Sequence, residues 1–226
     1  MDVIEHLEHV IFSDGLEAGD SLPSEAELAA ELGVSRLTVR EGVRALQARG
    51  LIEVAHGRRP VIAPPNARPL ADFFSAAVRR DARGLLELVE VRLAVEVHTA
   101  QLAARNATRA DLLSLNAALE AMRSAGDDEA AFNDADLRFH AAIATASGNR
   151  MLNFLIEGME GPLHSSRMHS TRGYLARSGA LDTLFAAHQD IYERIAAHDA
   201  SGAATCMKKH LVATRNDLRT SFELPS

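Results

Sequence analysis

From residue 70 to the end of the chain, apolar residues recur at three- and four-residue spacing, and no alternating run interrupts them. A period near 3.6 residues marks amphipathic helix, so this stretch reads as an all-α antiparallel bundle. Breaks at Arg83-Gly84, Asn106–Thr108, Gly126-Asp127, Gly148, Arg172-Gly173 and Ser201-Gly202 predict helices near 70–79, 83–105, 109–124, 129–146, 149–170, 178–198 and 201–222. With 4% aromatic residues and no tryptophan, the composition disfavours an aromatic-rich β sandwich and sugar-stacking sites.

The first 69 residues follow a different pattern. Val3, Ile4, Leu7, Val10 and Ile11 predict a helix over 2–13, and Asp14 to Pro23 reads as a loop. Ser24 precedes Glu27 by three, a capping box for a short helix that stops at Gly33. Ser35 caps the next helix, whose buried face is Val39, Val43 and Leu46 and which runs up to Gly50. Leu51–Ala55 and Val61–Ala63 flank a glycine-containing loop and predict a hairpin. Pro64, Pro65, Asn66 and Pro69 break regular structure. The chain is therefore mainly α: a small αααββ domain over 1–65, a linker over 66–69 and an all-helical antiparallel bundle over 70–226.

Charge is distributed unevenly. The formal net charge of −7 argues against a nucleic-acid partner only as an average. Residues 1–35 hold nine acids and no lysine or arginine, whereas 36–68 hold seven arginines and two acids. A local basic block is what an anion meets. A single cysteine, Cys206, excludes a disulfide framework and points to a reducing compartment. The acids at the start stand where a secretion signal needs a basic stretch, and no apolar run is long enough to span a bilayer. A cytoplasmic protein without membrane attachment is expected.

Arg36, Arg40 and Arg44 are spaced four apart on the second helix of the tight Gly33-Val34-Ser35 turn, roughly opposite its apolar face. In this geometry the second helix enters the major groove, and arginine can take both O6 and N7 of guanine. Thr38 can reach phosphate or a base, and His56-Gly57 at the hairpin tip lets the backbone approach a minor groove. The alternatives are a solvated arginine-rich face and a winged helix that contacts protein.

Leu22-Pro23-Ser24-Glu25, Glu27-Leu28-Ala29, Gly33-Val34-Ser35-Arg36, Thr38-Val39-Arg40-Glu41 and Leu46…Gly50-Leu51-Ile52 resemble the winged helix-turn-helix of GntR transcription regulators. The resemblance implies DNA contacts at Ser35, Arg36, Thr38, Arg40, His56 and Gly57. Ala26 departs from it, standing where the family usually carries a DNA-contacting arginine.

Of the ten histidines, His188 aligns with Leu184, Ile191 and Ile195, and His210 with Met207, Leu211 and Thr214. Asp136 and His140 share a helix face at i and i+4. Such histidines are ordinarily satisfied core residues, and such pairs ordinary surface contacts. Three inward histidines and an aspartate on three helices also supply ligands for a divalent transition metal. Asp136-Leu137-Arg138-Phe139-His140 with Ile143, Ala146 and Gly148-Asn149 resembles the FCD effector domain of FadR-type GntR members, as do His188 with Ile191 and Met207 with His210. Glu90-Val91-Arg92…Glu96 resembles its early helix. The resemblance implies that Asp136, His140, His188 and His210 bind one ion of zinc, nickel or manganese, with a small carboxylate beside it. Members that take fatty acyl-CoA lack this histidine set. Arg92 either clamps that carboxylate or pairs with Glu96. His6, His9 and His198 are expected at solvent or a subunit contact; His98, His164 and His169 could line the pocket, though each taken singly is expected not to.

The expected function is a metabolite-responsive regulator, a repressor acting as a homodimer on palindromic operator DNA. A metal-sensing regulator is the alternative. A metal-dependent enzyme of organic acids is disfavoured, because no motif supplies a general base or nucleophile and a fused DNA-binding domain would be unexplained.

Overall fold

The computed structural model describes residues 3–13, 15–55, 58–80, 83–176 and 180–223, and the chain divides into two units, Met1–Pro69 and Leu70–Ser226. The first unit runs α1 (Val3–Ser13), α2 (Glu25–Leu32), α3 (Arg36–Ala48), β1 (Ile52–Glu53) and β2 (Val61–Ile62). Ser24 Oγ accepts from the Glu27 N–H at 3.3 Å, and Glu27 Oε2 accepts from the Ser24 N–H at 2.7 Å, which fixes the start of α2. Gly33 ends it with φ +65°, a left-handed conformation that costs glycine little. Ser35 then caps α3, accepting from the Thr38 N–H at 3.1 Å. Leu7, Leu22, Leu28, Val39, Leu46 and Ile52 are buried between these elements, each stabilising the unit by about 1.5–3 kcal/mol.

The hairpin pairs Ile52 with Ile62 and Glu53 with Val61 in antiparallel register. Its strands are shorter than expected from sequence, with one further bond, Ala63 N–H to Leu51 carbonyl at 3.0 Å, beyond the ladder. A third extended stretch joins it. The Gly19 and Leu22 N–H groups donate to the carbonyls of Ile62 and Pro60 at 2.9 and 2.8 Å, and the Ile62 N–H donates to Asp20 at 2.9 Å. The expected loop thus ends as a paired edge. Gly19-Asp20-Ser21-Leu22 carries no alternation to announce it.

The helices that follow are α4 (Arg68–Arg80), α5 (Arg83–Asn106), α6 (Arg109–Ser124), α7 (Glu129–Ala146), α8 (Arg150–Ala176), α9 (Leu181–Ala196) and α10 (Ala200–Glu223). Helix α4 begins inside the stretch expected as linker. Pro69 stands in its first turn, where no N–H is needed, and Asn66 Oδ1 accepts from the Arg68 N–H at 3.2 Å. Helix α8 continues through the break expected at Arg172-Gly173. Gly173 is buried there, inside the helix.

In the second unit, α10 packs against α5, α8 and α9, and α7 against α5, α6 and α8. Leu115, Met122, Phe139, Ile143, Ile191, Ile195, Met207 and Leu211 form the central core. Among them lie Arg92, Glu96, Asp136, His140, Arg167, His188 and His210, all buried. Burying that many ionisable groups costs several kcal/mol per charge unless each is paired or neutralised. No helix among the described residues is long and apolar enough to cross a membrane.

Candidate functional site

The four ligand candidates named from sequence meet. Asp136 and His140 project from one face of α7, His188 from α9 and His210 from α10, and one donor atom of each lies within 4.8 Å of all the others. The rings of His188 and His210 are 4.5 Å apart, and those of His140 and His210 5.3 Å. Phe139 stands edge-on to His188 at 5.4 Å and to His140 at 5.9 Å, a dry wall on one side of the cluster.

Hydrogen bonding fixes which nitrogens face inward. His188 Nδ1 donates to the Leu184 carbonyl at 2.7 Å, and a carbonyl can only accept. The neutral ring therefore turns the Nε2 lone pair toward Asp136 Oδ1, 2.5 Å away. Two acceptors that close repel unless a cation stands with them. A proton is a poor candidate, because burial and then the neighbouring His140 push the His188 pKa down to about 3. His140 has the same polarity. Its Nδ1 meets Glu96 Oε2, while Nε2 is buried without a hydrogen-bond partner, 3.7 Å from Asp136 Oδ1. Burial lowers the pKa of His140 and, more strongly, that of His210, so the rings are neutral and ligand-ready. Three imidazoles and a carboxylate, with outer nitrogens held by a carbonyl and a carboxylate, fit a divalent transition metal.

Around this set lie two arginines. Arg92, fully buried on α5, donates from Nε to Glu96 Oε1 at 2.5 Å, so the pairing expected from i,i+4 spacing is present. Burial opposes the Glu96 charge, but Arg92 and His140 hold its carboxyl well below the usual range. Among the described residues, Arg92 Nη1 has no hydrogen-bond partner. Arg167 on α8 contacts Asp136 through Nη1, and its Nε and Nη2 are buried without hydrogen-bond partners among the described residues. Burial, then the nearby Arg92 charge, disfavour the Arg167 cation, and Glu96 favours it. Both arginines, Asn133, Thr171, His188 and His210 line a cavity of about 20 Å³.

Sequence reasoning missed two of these residues. Glu96 was assigned only as a partner for Arg92, because its contact with His140 crosses 44 positions. Arg167 gave no signal, since it lies in a polar stretch and only packing turns it inward. His98 is exposed, and exposed His164 sits 3.8 Å from Asp134, away from the cavity as expected. His169, half-buried, is not among the residues lining it.

On the first unit, Ser35, Arg36, Thr38, Arg40 and Arg44 are all exposed on α3 or at its cap. Ser35 Oγ and Thr38 Oγ1 are 2.9 Å apart, so capping and the exposed threonine share one network. Arg40 grips Glu25 of α2 through Nε and Nη2 at 2.9–3.2 Å, and that pairing, above all, lowers the Glu25 pKa. Arg44 pairs with Glu41 at 3.0 Å. Leu37, 65% exposed between Arg36 and Thr38, is an apolar residue on the same turn that sequence reasoning passed over. Ala26 is half-buried in the first turn of α2 and offers no cation. His56 and Gly57 lie outside the described residues.

Comparison with known proteins agrees with both halves. The family described as bacterial regulatory proteins, gntR family, matches residues 1–62, and the FCD domain family matches 87–213. The HTH-type transcriptional regulator LutR of Bacillus subtilis is 32% identical over 92% of this chain and 95% of its own length. The Glc operon transcriptional activator of Escherichia coli K12 is 30% identical over 96% and 87%. The putative L-lactate dehydrogenase operon regulatory protein of the same strain is 32% identical over 93% and 82%. Among solved structures, a Streptococcus agalactiae GntR protein superposes with a TM-score of 0.73 at 26% identity, covering 95% of this chain and 97% of that one. One family match ends at residue 62, the other begins at 87, and the relatives align along nearly the whole chain; the protein therefore belongs to the GntR family of bacterial transcription regulators and carries an FCD domain.

Proposed function

We propose that the protein is a cytoplasmic repressor that binds palindromic operator DNA as a homodimer and is controlled by a small organic acid held beside a divalent metal. The observation that carries the effector half is Arg167: its Nε and Nη2 are buried without hydrogen-bond partners among the described residues, and it shares a cavity with Asp136, His188 and His210 of the Asp136, His140, His188 and His210 set. Zinc, nickel or manganese suits those donors, and such an ion supplies Lewis-acid attraction for a carboxylate oxygen. Arg167, with Arg92 Nη1 as a second donor, would fix the other oxygen. Glu96 orients His140, the Leu184 carbonyl orients His188, and Phe139 excludes water.

In the DNA half, Arg36 and Arg40 read bases or anchor phosphates, Ser35, Thr38 and Arg44 support them, and His56-Gly57 follows the minor groove. The segment 1–65 carries this activity, and 70–226 carries effector binding and dimerisation. Relatives are named both activator and repressor, and the galactonate operon transcriptional repressor of Escherichia coli is 37% identical over 61% of this chain. The sign is tested by transcription from an operator-linked promoter.

Protein purified without chelators should contain one metal ion per chain. Arg167→Met should retain that ion yet lose the thermal shift that lactate gives the wild type. His188→Ala should lose both. Metal-free protein, or an Arg167→Met variant with a full lactate response, would overturn the effector site. DNA release by metal alone, with no organic acid present, would favour the metal-sensing alternative.

A further inference from the structure

Helix α3 buries Val39, Gly42, Val43 and Leu46. A helix turns about 100° per residue, so Leu37 stands about 180° round from Leu46, at the crest of the outward face. It is 65% exposed, and Arg36, Thr38, Arg40, Glu41 and Arg44 are exposed around it. A lone exposed leucine is ordinary on a protein surface. This one occupies the first turn of the second helix of a helix-turn-helix, the turn that meets base edges in a major groove.

The charged neighbours differ from it. Arg40 is held by Glu25 through Nε and Nη2, and Arg44 by Glu41. Those pairs must loosen before either arginine turns to DNA, whereas Leu37 gives up only water. Leucine carries no donor or acceptor, so it does not read the hydrogen-bonding pattern of a base. Placed against the N4 amine of cytosine, it would strip water from a donor and return no bond. The apolar group that a base presents in the major groove is the C5 methyl of thymine. We infer that Leu37 is a specificity residue, selecting thymine at one position of each operator half-site through that methyl. This rests on the DNA contact proposed for α3 and adds a base to it.

The test begins with selection of binding sites from a random DNA pool by the full-length protein. The selected site is rebuilt with each thymine in turn replaced by uracil, which removes the methyl and keeps the pairing edge. At one position uracil should weaken gel-shift affinity about fourfold per half-site, the worth of one buried methyl. Leu37→Ala should weaken binding to the thymine site by a similar factor and bind thymine and uracil there equally, with the response at other thymines unchanged. Leu37→Gln, whose amide suits adenine, should in a fresh selection lose thymine at that position alone. It decides the matter if Leu37→Ala binds too weakly to titrate. If the wild type selects no sequence, base reading by α3 fails and this inference with it. If a sequence is selected but no thymine responds to uracil, or Leu37→Ala keeps the full response, the inference is wrong and the arginine contacts stand. Equal weakening of every sequence by Leu37→Ala would set the side chain against the sugar-phosphate backbone, and likewise overturn it.

Discussion

The Nε2 of His188 and the Oδ1 of Asp136 are 2.5 Å apart, and both present lone pairs because the His188 proton is committed to the Leu184 carbonyl. The pair suits two ligands of one cation, and it lies 52 residues apart in sequence on two helices. Glu96 completes the arrangement by holding the opposite nitrogen of His140, so a carboxylate, an imidazole and the ligand cluster stand in series.

Glu96→Gln should therefore weaken metal binding about 10- to 100-fold, as losing an outer carboxylate does elsewhere. Glu96→Ala should in addition leave Arg92 buried and unpaired, costing about 3–5 kcal/mol. Competition with a fluorescent zinc chelator measures the first effect and urea unfolding the second. Unchanged zinc affinity in Glu96→Gln would remove Glu96 from the site.

Acid should destabilise the metal-free protein in a defined window. His140, His188 and His210 have pKa values lowered by burial, His188 to about 3. In the unfolded chain they titrate near 6.5. Below that pH the unfolded chain takes up protons that the folded one refuses, so stability falls from about pH 6.5 downward, and for His188 on toward pH 3. The slope is about 1.4 kcal/mol per pH unit for each such histidine. Thermal melts of chelator-treated protein at pH 7.5, 6 and 5 should show the fall, and His188→Gln should flatten it. A midpoint constant across that range would contradict the burial argument.

At the DNA face, Arg36→Ala should cost about 1–3 kcal/mol of operator affinity and relax preference at one position per half-site. Glu25→Gln tests the neighbouring pair. It should loosen Arg40 from α2 and, because an acid near the phosphates is removed, steepen the salt dependence of binding. Gel-shift titrations at several salt concentrations measure both. An Arg36→Ala protein with wild-type affinity and preference would exclude base reading by that residue.

Gly158 on α8 is where α4 approaches most closely. A Cβ there would lie 2.6 Å from the Leu70 Cβ, so Gly158→Val should destabilise the bundle by about 1–3 kcal/mol through overpacking. Gly126, whose added Cβ would meet nothing, is the control for space alone; its φ of +54° carries its own backbone cost. A Gly158→Val melt indistinguishable from wild type would show that α4 yields.

Local chemistry determined the helix-turn-helix by itself. Ser24 with Glu27, and Ser35 with Thr38, act across three residues, and Gly33 stands between them, so spacing alone specified two helices and the turn between them. The inward orientation of His188 and His210 was also legible, because each aligns with apolar neighbours at helical period, whereas Asp136 and His140 were read only as a pair on one face and joined them through the family resemblance. Tertiary structure decided what periodicity does not encode. It paired residues 19–22 with the hairpin through backbone bonds that carry no side-chain signature. It carried α8 through Gly173, which is buried within the helix. It also turned Arg167 inward and set Glu96 against His140, contacts between helices far apart in sequence. Those contacts decide which nitrogens keep their lone pairs and where an anion is needed, and they exist only once α5, α7, α8, α9 and α10 have packed together.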